Sequence, residues 1–223
     1  MQLTAPLGIF GGTFDPIHNG HIFPIIEAAE KTNIKNIALM PCHIPKHKNA
    51  ATASSHHRLK MAQLICHEYP IFHPDNRDII RAKPTVSLDS LSELRHEHPH
   101  TPLCFFIGSD SLQSLPKWYK YQELFALCHF IVCQRQPDLS VDLNDNSNAE
   151  IQALLQQRQT RDIADLHTQL AGHIYLADTQ PLTMSSSHIR KQLAKGQSIE
   201  PFVPVRVLNY IQQHKLYQPT AEI

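Results

Sequence analysis

The chain of 223 residues lacks several features that would have fixed its class at once. No apolar run approaches the roughly 20 residues that a membrane-spanning helix needs. Met1-Gln2-Leu3-Thr4 supplies neither a charged leader nor a long apolar segment, so no cleavable signal is expected, and the cytoplasm is the expected compartment. Neither sign of charge dominates: 20 basic residues balance 20 acidic ones. A broad nucleic-acid-binding face is therefore not indicated. Cysteine is sparse, and Cys42, Cys66, Cys104, Cys128 and Cys133 form no CxxC pair, so their spacings do not match a zinc site. Cys104 and Cys133 sit inside apolar runs and read as small core residues. Neither the dinucleotide pattern GxGxxG nor the phosphate-loop pattern GxxxxGK[ST] fits, which argues against an ordinary dehydrogenase and a P-loop NTPase. No internal repeat is apparent.

What remains is an ordinary globular composition, 42% hydrophobic, with 16 histidines. Most of those histidines lie in polar stretches and make net charge sensitive to pH near neutrality. Strand and helix signals alternate. Residues 7–10, 36–40, 103–107, 130–133 and 173–177 read as strands, with shorter ones at 69–72 and 78–81. Residues 22–29, 54–67, 87–95, 112–115, 121–127 and 185–194 read as helices, Ser54 or Ser55, Ser87 and Ser185 standing where caps belong. Residues 136–149 read as an exposed loop and 150–170 as helical. Such alternation predicts an α/β fold: a Rossmann-like, doubly wound parallel sheet with helices on both faces. A single domain is expected over 1–223, its core about 6–195, with a C-terminal helical segment about 200–217. Ligands in such folds bind at the C-terminal edge of the sheet, where strand order switches.

The most informative stretch is Gly11-Gly12-Thr13-Phe14-Asp15-Pro16-Ile17-His18-Asn19-Gly20-His21. A Gly-rich bend between a strand and a helix can aim backbone N–H groups at an anion, and the helix N-terminus adds partial positive charge. His18 and His21 stand three residues apart, so both can face one ligand. Together they describe a phosphate site with its own proton donors.

This stretch resembles the HxGH signature of the nucleotidyltransferase superfamily, and GGTFDPxHxGH resembles the nicotinate-nucleotide adenylyltransferases of bacterial NAD synthesis. Three later segments extend the resemblance over nearly the whole chain. Residues 41–48 resemble a proline-rich loop ending in His47-Lys48. Gly108-Ser109-Asp110, followed by Trp118-Tyr119, resembles the family's GxD segment and Trp-Tyr pair. Ser185-Ser186-Ser187-His188-Ile189-Arg190 resembles the late motif I-S-S-T-x-I-R. Met184 and Ser187 replace its usual Ile and Thr, keeping apolar and hydroxyl character. Val86 stands where the family often has an aromatic residue.

The resemblance implies adenylyl transfer from ATP to nicotinate mononucleotide. His18, His21 and Arg190 would be catalytic, with His18 nearest the transferring group. ATP would be met by Gly11, Gly12, Thr13, Phe14, His18, His21, Gly108, Asp110, Ser186, Ser187 and Arg190. The mononucleotide would be met by His47, Lys48, Thr85, Ser87, Trp118, Tyr119 and Arg135. Mg²⁺ would arrive with ATP, held by phosphates and water, with no tightly bound protein metal site. Neither nucleic acid nor membrane is expected as a partner, and a homo-oligomer is left open. Two alternatives share the residues: a related HxGH transferase acting on phosphopantetheine or nicotinamide mononucleotide, and a nucleotide-binding module without catalysis.

Overall fold

The computed structural model describes residues 3–45, 51–134 and 149–218. Its centre is a seven-stranded sheet in the order β4-β2-β1-β6-β7-β9-β8, every pairing parallel. The strands are β1 (Leu7–Gly12), β2 (Ile37–Pro41), β4 (Phe72–Pro74), β6 (Leu103–Gly108), β7 (His129–Cys133), β8 (Gln159–Thr160) and β9 (Ile174–Ala177). Period-two alternation sorts their side chains between two cores. Phe10, Cys104, Phe106, Ile131 and Cys133 face one layer, with helices α1 (Asn19–Lys31), α2 (Ser55–Glu68), α9 (Ser186–Ala194) and α10 (Val205–Gln213). Leu7, Ile9, Phe105, Ile107, Phe130 and Val132 face the other, with α4 (Ser87–Glu97), α5 (Ser109–Ser114), α6 (Tyr121–Leu124) and α7 (Ala149–Arg158). The chain runs outward from β1 through β2 to β4, then returns to β6 on the opposite side of β1. The switch in strand order therefore lies between β1 and β6, the position that opens a crevice at the strands' C-terminal ends.

A second, two-stranded pairing joins β3 (Ile44–Pro45) to β5 (Pro84–Thr85). It ties the chain beyond β2 to the segment before α4. Two sequence-based caps are found as expected. The Ser54 hydroxyl accepts the His57 amide at 3.3 Å, and the Ser185 hydroxyl accepts the His188 amide at 3.2 Å.

Several boundaries differ from expectation. Residues 78–81 are not a strand: α3 (Arg77–Arg81) occupies them, because the Asp75 carboxylate accepts the Arg77 amide at 2.9 Å and opens a helical turn. Ser87 is the first helical residue of α4, not its cap; Val86 holds that position. The strand expected at 69–72 lies at Phe72–Pro74, and the helix expected at 121–127 closes at Leu124. The helical stretch at 150–170 breaks at Gln159, where β8 pairs with β9, and resumes as α8 (Asp165–Thr168).

Candidate active site

A cleft of about 910 Å³ opens at the switch between β1 and β6. Gly11 and Gly12, at the end of β1, form one side of its floor, and Ile107 and Gly108, at the end of β6, form the other. Thr13 and Phe14 continue the first wall. The left-handed residue of this bend is Phe14 (φ 51°), while neither Gly11 nor Gly12 has positive φ. Gly12 is required for space instead: a Cβ there would meet the Phe14 ring at 2.6 Å.

His18 caps α1, and the His18 and His21 rings lie 3.7 Å apart, centroid to centroid. His21 sits edge-on to Phe14 and lines the cleft; His18, 3% exposed, lies behind the wall. Unit charges on both rings would repel by roughly 4 kcal/mol at an effective dielectric of 20. Gly20 between them admits Met184: its amide donates to the Met184 thioether at 3.0 Å, and a Cβ would meet Met184 Cγ at 2.6 Å.

The late motif closes on the early bend. The Ser186 hydroxyl donates to the Pro16 carbonyl at 3.0 Å. Arg190 donates to the Asp15 carbonyl at 2.7 Å, pairs with the Asp15 carboxylate at 3.6 Å, and reaches the Ser187 hydroxyl at 3.3 Å. Ser186, Ser187 and Arg190 all line the cleft. Asp110, in the first turn of α5, stands exposed on the opposite rim.

The far end is built from Thr85, Val86, Ser87, Trp118 and Tyr119. The Thr85 hydroxyl accepts the His43 amide at 3.0 Å, so that side chain braces the neighbouring loop. Trp118 is half-buried: it packs edge-on against Phe105 at 6.2 Å and also forms cleft wall. Tyr119 is 50% exposed at the rim. His47, Lys48 and Arg135 lie outside the described residues. Among the described residues, no group of three or more His, Cys, Asp or Glu side chains is placed to hold a metal ion.

Sequence reasoning missed three residues. Asp15, 4% exposed, is a hub: its carboxylate accepts the amides of Thr52 (2.7 Å) and Ala53 (3.0 Å) and the Tyr217 hydroxyl (2.9 Å). Burial and the Asp15 charge push the Tyr217 hydroxyl far above its usual range, so it stays a donor. Arg58, 1% exposed, lies beneath the bend. Asp15 stood in the early motif without a role. Arg58 and Tyr217 carried no signal, since neither belongs to a motif or an apolar period.

The sequence profile of the cytidylyltransferase-like family matches residues 9–192. The chain belongs to the cytidylyltransferase-like family. Within that family, it is 46% identical over 220 residues to a probable nicotinate-nucleotide adenylyltransferase of Pseudoalteromonas atlantica, covering 99% of this chain and 98% of the relative. It is 43% identical over 220 residues to a protein of the same description from Aeromonas salmonicida, covering 97% and 99%. Among solved structures, the Plasmodium falciparum nicotinic acid mononucleotide adenylyltransferase complexed with NaAD superposes with TM-score 0.71 at 21% identity, over 96% of this chain and 98% of that one. That likeness supports the Rossmann-like nucleotidyltransferase fold of this cytidylyltransferase-like chain.

Proposed function

We propose that the chain transfers the adenylyl group of ATP to nicotinate mononucleotide, forming nicotinate adenine dinucleotide and releasing pyrophosphate. A 5′-phosphate oxygen of the mononucleotide attacks the α-phosphorus of ATP in line. The bond from that phosphorus to the bridging oxygen breaks, and pyrophosphate leaves with its electron pair. The attacking oxygen is already anionic near neutral pH, so no strong base is needed. The protein aligns two anions and stabilises charge on the leaving group. At ~4 Å, unit anions repel by about 4 kcal/mol at an effective dielectric of 20, which donors and cations must offset.

The roles follow from position. His18 and His21, paired at the start of α1, donate to the ATP phosphates. Gly11, Gly12, Thr13 and Phe14 present backbone to phosphate; Ser186, Ser187 and Arg190 meet the β- and γ-phosphates, Arg190 by charge-assisted bonds. Gly108 and Asp110 take the adenosine ribose. Thr85, Ser87, Trp118 and Tyr119 take the nicotinate end, the indole by stacking; His47, Lys48 and Arg135 are assigned to the mononucleotide on the sequence resemblance alone. Mg²⁺ enters as part of the MgATP substrate, its ligands phosphate oxygens and water. The cytoplasm is the compartment we assign, in keeping with five free thiols.

One observation carries the reading: a single crevice at the β1/β6 switch gathers His21, the Arg190 end and the Thr85–Trp118 end. Its volume lies near the top of the ~300–1,000 Å³ range of ligand pockets, as two nucleotides side by side require. The test is pyrophosphate release from MgATP with each acceptor in turn. Release that depends on nicotinate mononucleotide is expected. Preference for phosphopantetheine or nicotinamide mononucleotide, or ATP binding without release, would overturn it.

A further inference from the structure

Arg58 is the largest of the fully buried side chains, yet it has no carboxylate partner among the ion pairs of the described residues. Its guanidinium is satisfied by carbonyl oxygens from three separate loops. Nη1 donates to Thr13 O at 2.8 Å and to Cys42 O at 2.6 Å; Nη2 donates to His43 O at 2.6 Å; Nε donates to Ala53 O at 3.2 Å. Each loop serves a different part of the cleft. Thr13 belongs to the early bend. Cys42 and His43 follow β2, and the His43 amide is held by Thr85 at the far end of the cleft. Ala53 gives its own amide to Asp15, the partner of Arg190.

We infer that Arg58 is the positioning residue that sets the register between the two substrate ends of the cleft. The inference rests on the adenylyl transfer proposed above. One planar fork bonds the phosphate-facing bend on one side and the mononucleotide-facing loop on the other. The distance between those loops is therefore fixed by a rigid group rather than by loop flexibility. In-line transfer depends on that distance, and a misplacement of about 1 Å can cost about 100-fold in rate. Lysine keeps the charge but has one ammonium with three donors and no fork, so it cannot span three loops. The residue touches neither substrate and acts only through the loops it holds.

The separation of kcat from KM tests this. Wild type, Arg58→Lys and Arg58→Gln are compared for thermal unfolding, then for kcat and for KM toward each substrate. Arg58→Gln removes the charge and leaves a planar amide with two N–H donors, too few for the four carbonyls that Arg58 bonds. The expected result is a kcat lowered at least 100-fold in folded Arg58→Lys and at least 10-fold in folded Arg58→Gln, with both KM values within about threefold of wild type. A residue that only stabilised the fold would shift the melting temperature and leave kcat of the folded enzyme unchanged. Wild-type kcat in folded Arg58→Lys overturns the inference, as does a rise in KM with kcat retained. If the lysine variant shows no folded transition, Arg58→Gln decides alone by the same criteria. A wild type that releases no pyrophosphate from MgATP and nicotinate mononucleotide refutes the activity itself, and this inference with it. Active wild type with indifferent variants refutes only the part assigned to Arg58.

Discussion

Acid should weaken this fold at one identifiable side chain, His129, the first residue of β7. The ring is fully buried. Its Nε2 lies 2.9 Å from the Gln169 carbonyl, and its Nδ1 faces the His173 amide at 3.2 Å. A carbonyl can only accept and an amide can only donate, so Nε2 carries the proton and Nδ1 is the acceptor. A second proton on Nδ1 would confront the His173 N–H. The His173 ring, stacked at 5.4 Å, and the Arg95 charge oppose it further. Burial leads these causes, and together they push the imidazole down from 6.5 to about 4. The folded value is depressed, so the folded state prefers the neutral ring. The contribution is complete above pH 6.5 and is lost as pH falls through 4. At 1.36 kcal/mol per pKa unit it amounts to about 3 kcal/mol. Urea unfolding at intervals from pH 7 to pH 4 measures it, with His129→Gln as the control that keeps a donor and an acceptor but cannot titrate. His57 and His73, also lowered by burial, act in the same direction in both proteins. The difference between wild type and variant isolates His129. Parallel pH dependences, or an imidazole NMR titration centred near 6.5, would refute the reasoning.

Four further outcomes are expected. His21→Ala should lower kcat/KM by about 10²–10³-fold, the usual cost of one donor to developing charge, and His18→Ala should lower turnover comparably while the fold persists. Wild-type turnover in the His18 variant would reduce that residue to a prop. Trp118→Ala should raise the KM for mononucleotide far more than for ATP; equal rises would place the indole elsewhere. Tyr217→Phe removes a donor from a buried carboxylate and should cost about 1–3 kcal/mol, read from the urea midpoint, and an unmoved midpoint would show that Asp15 replaces the bond.

The sequence revealed whatever repeats with a period or sits in a capping position. Apolar runs marked β1, β6 and β7, and Ser54 and Ser185 marked the helices they open. Residues 78–81 misled because Ile79 and Ile80 favour strands, whereas one Asp75 bond outside the window set the helical turn. Gln159 gave no warning of β8, since an edge strand of two residues is set by β9 beside it. The early bend, Gly108–Asp110 and Ser186–Arg190 were found because the fold brings consecutive strand ends to one edge. Their fine arrangement was hidden. Whether His18 or His21 faces the cleft depends on how Phe14 and Met184 pack, which spacing alone does not encode. Arg58 was the least visible, because a buried arginine satisfied by carbonyls leaves no charged partner to pair it with in the sequence.

Tyr217 reaches Asp15 across 202 positions of chain. A nascent polypeptide emerging from the ribosome therefore cannot fasten the glycine bend until that late tyrosine has cleared the exit tunnel. Synthesis and assembly of the site are thus separated in time, and a polypeptide stalled before residue 217 would hold the reactive groups without their final clasp.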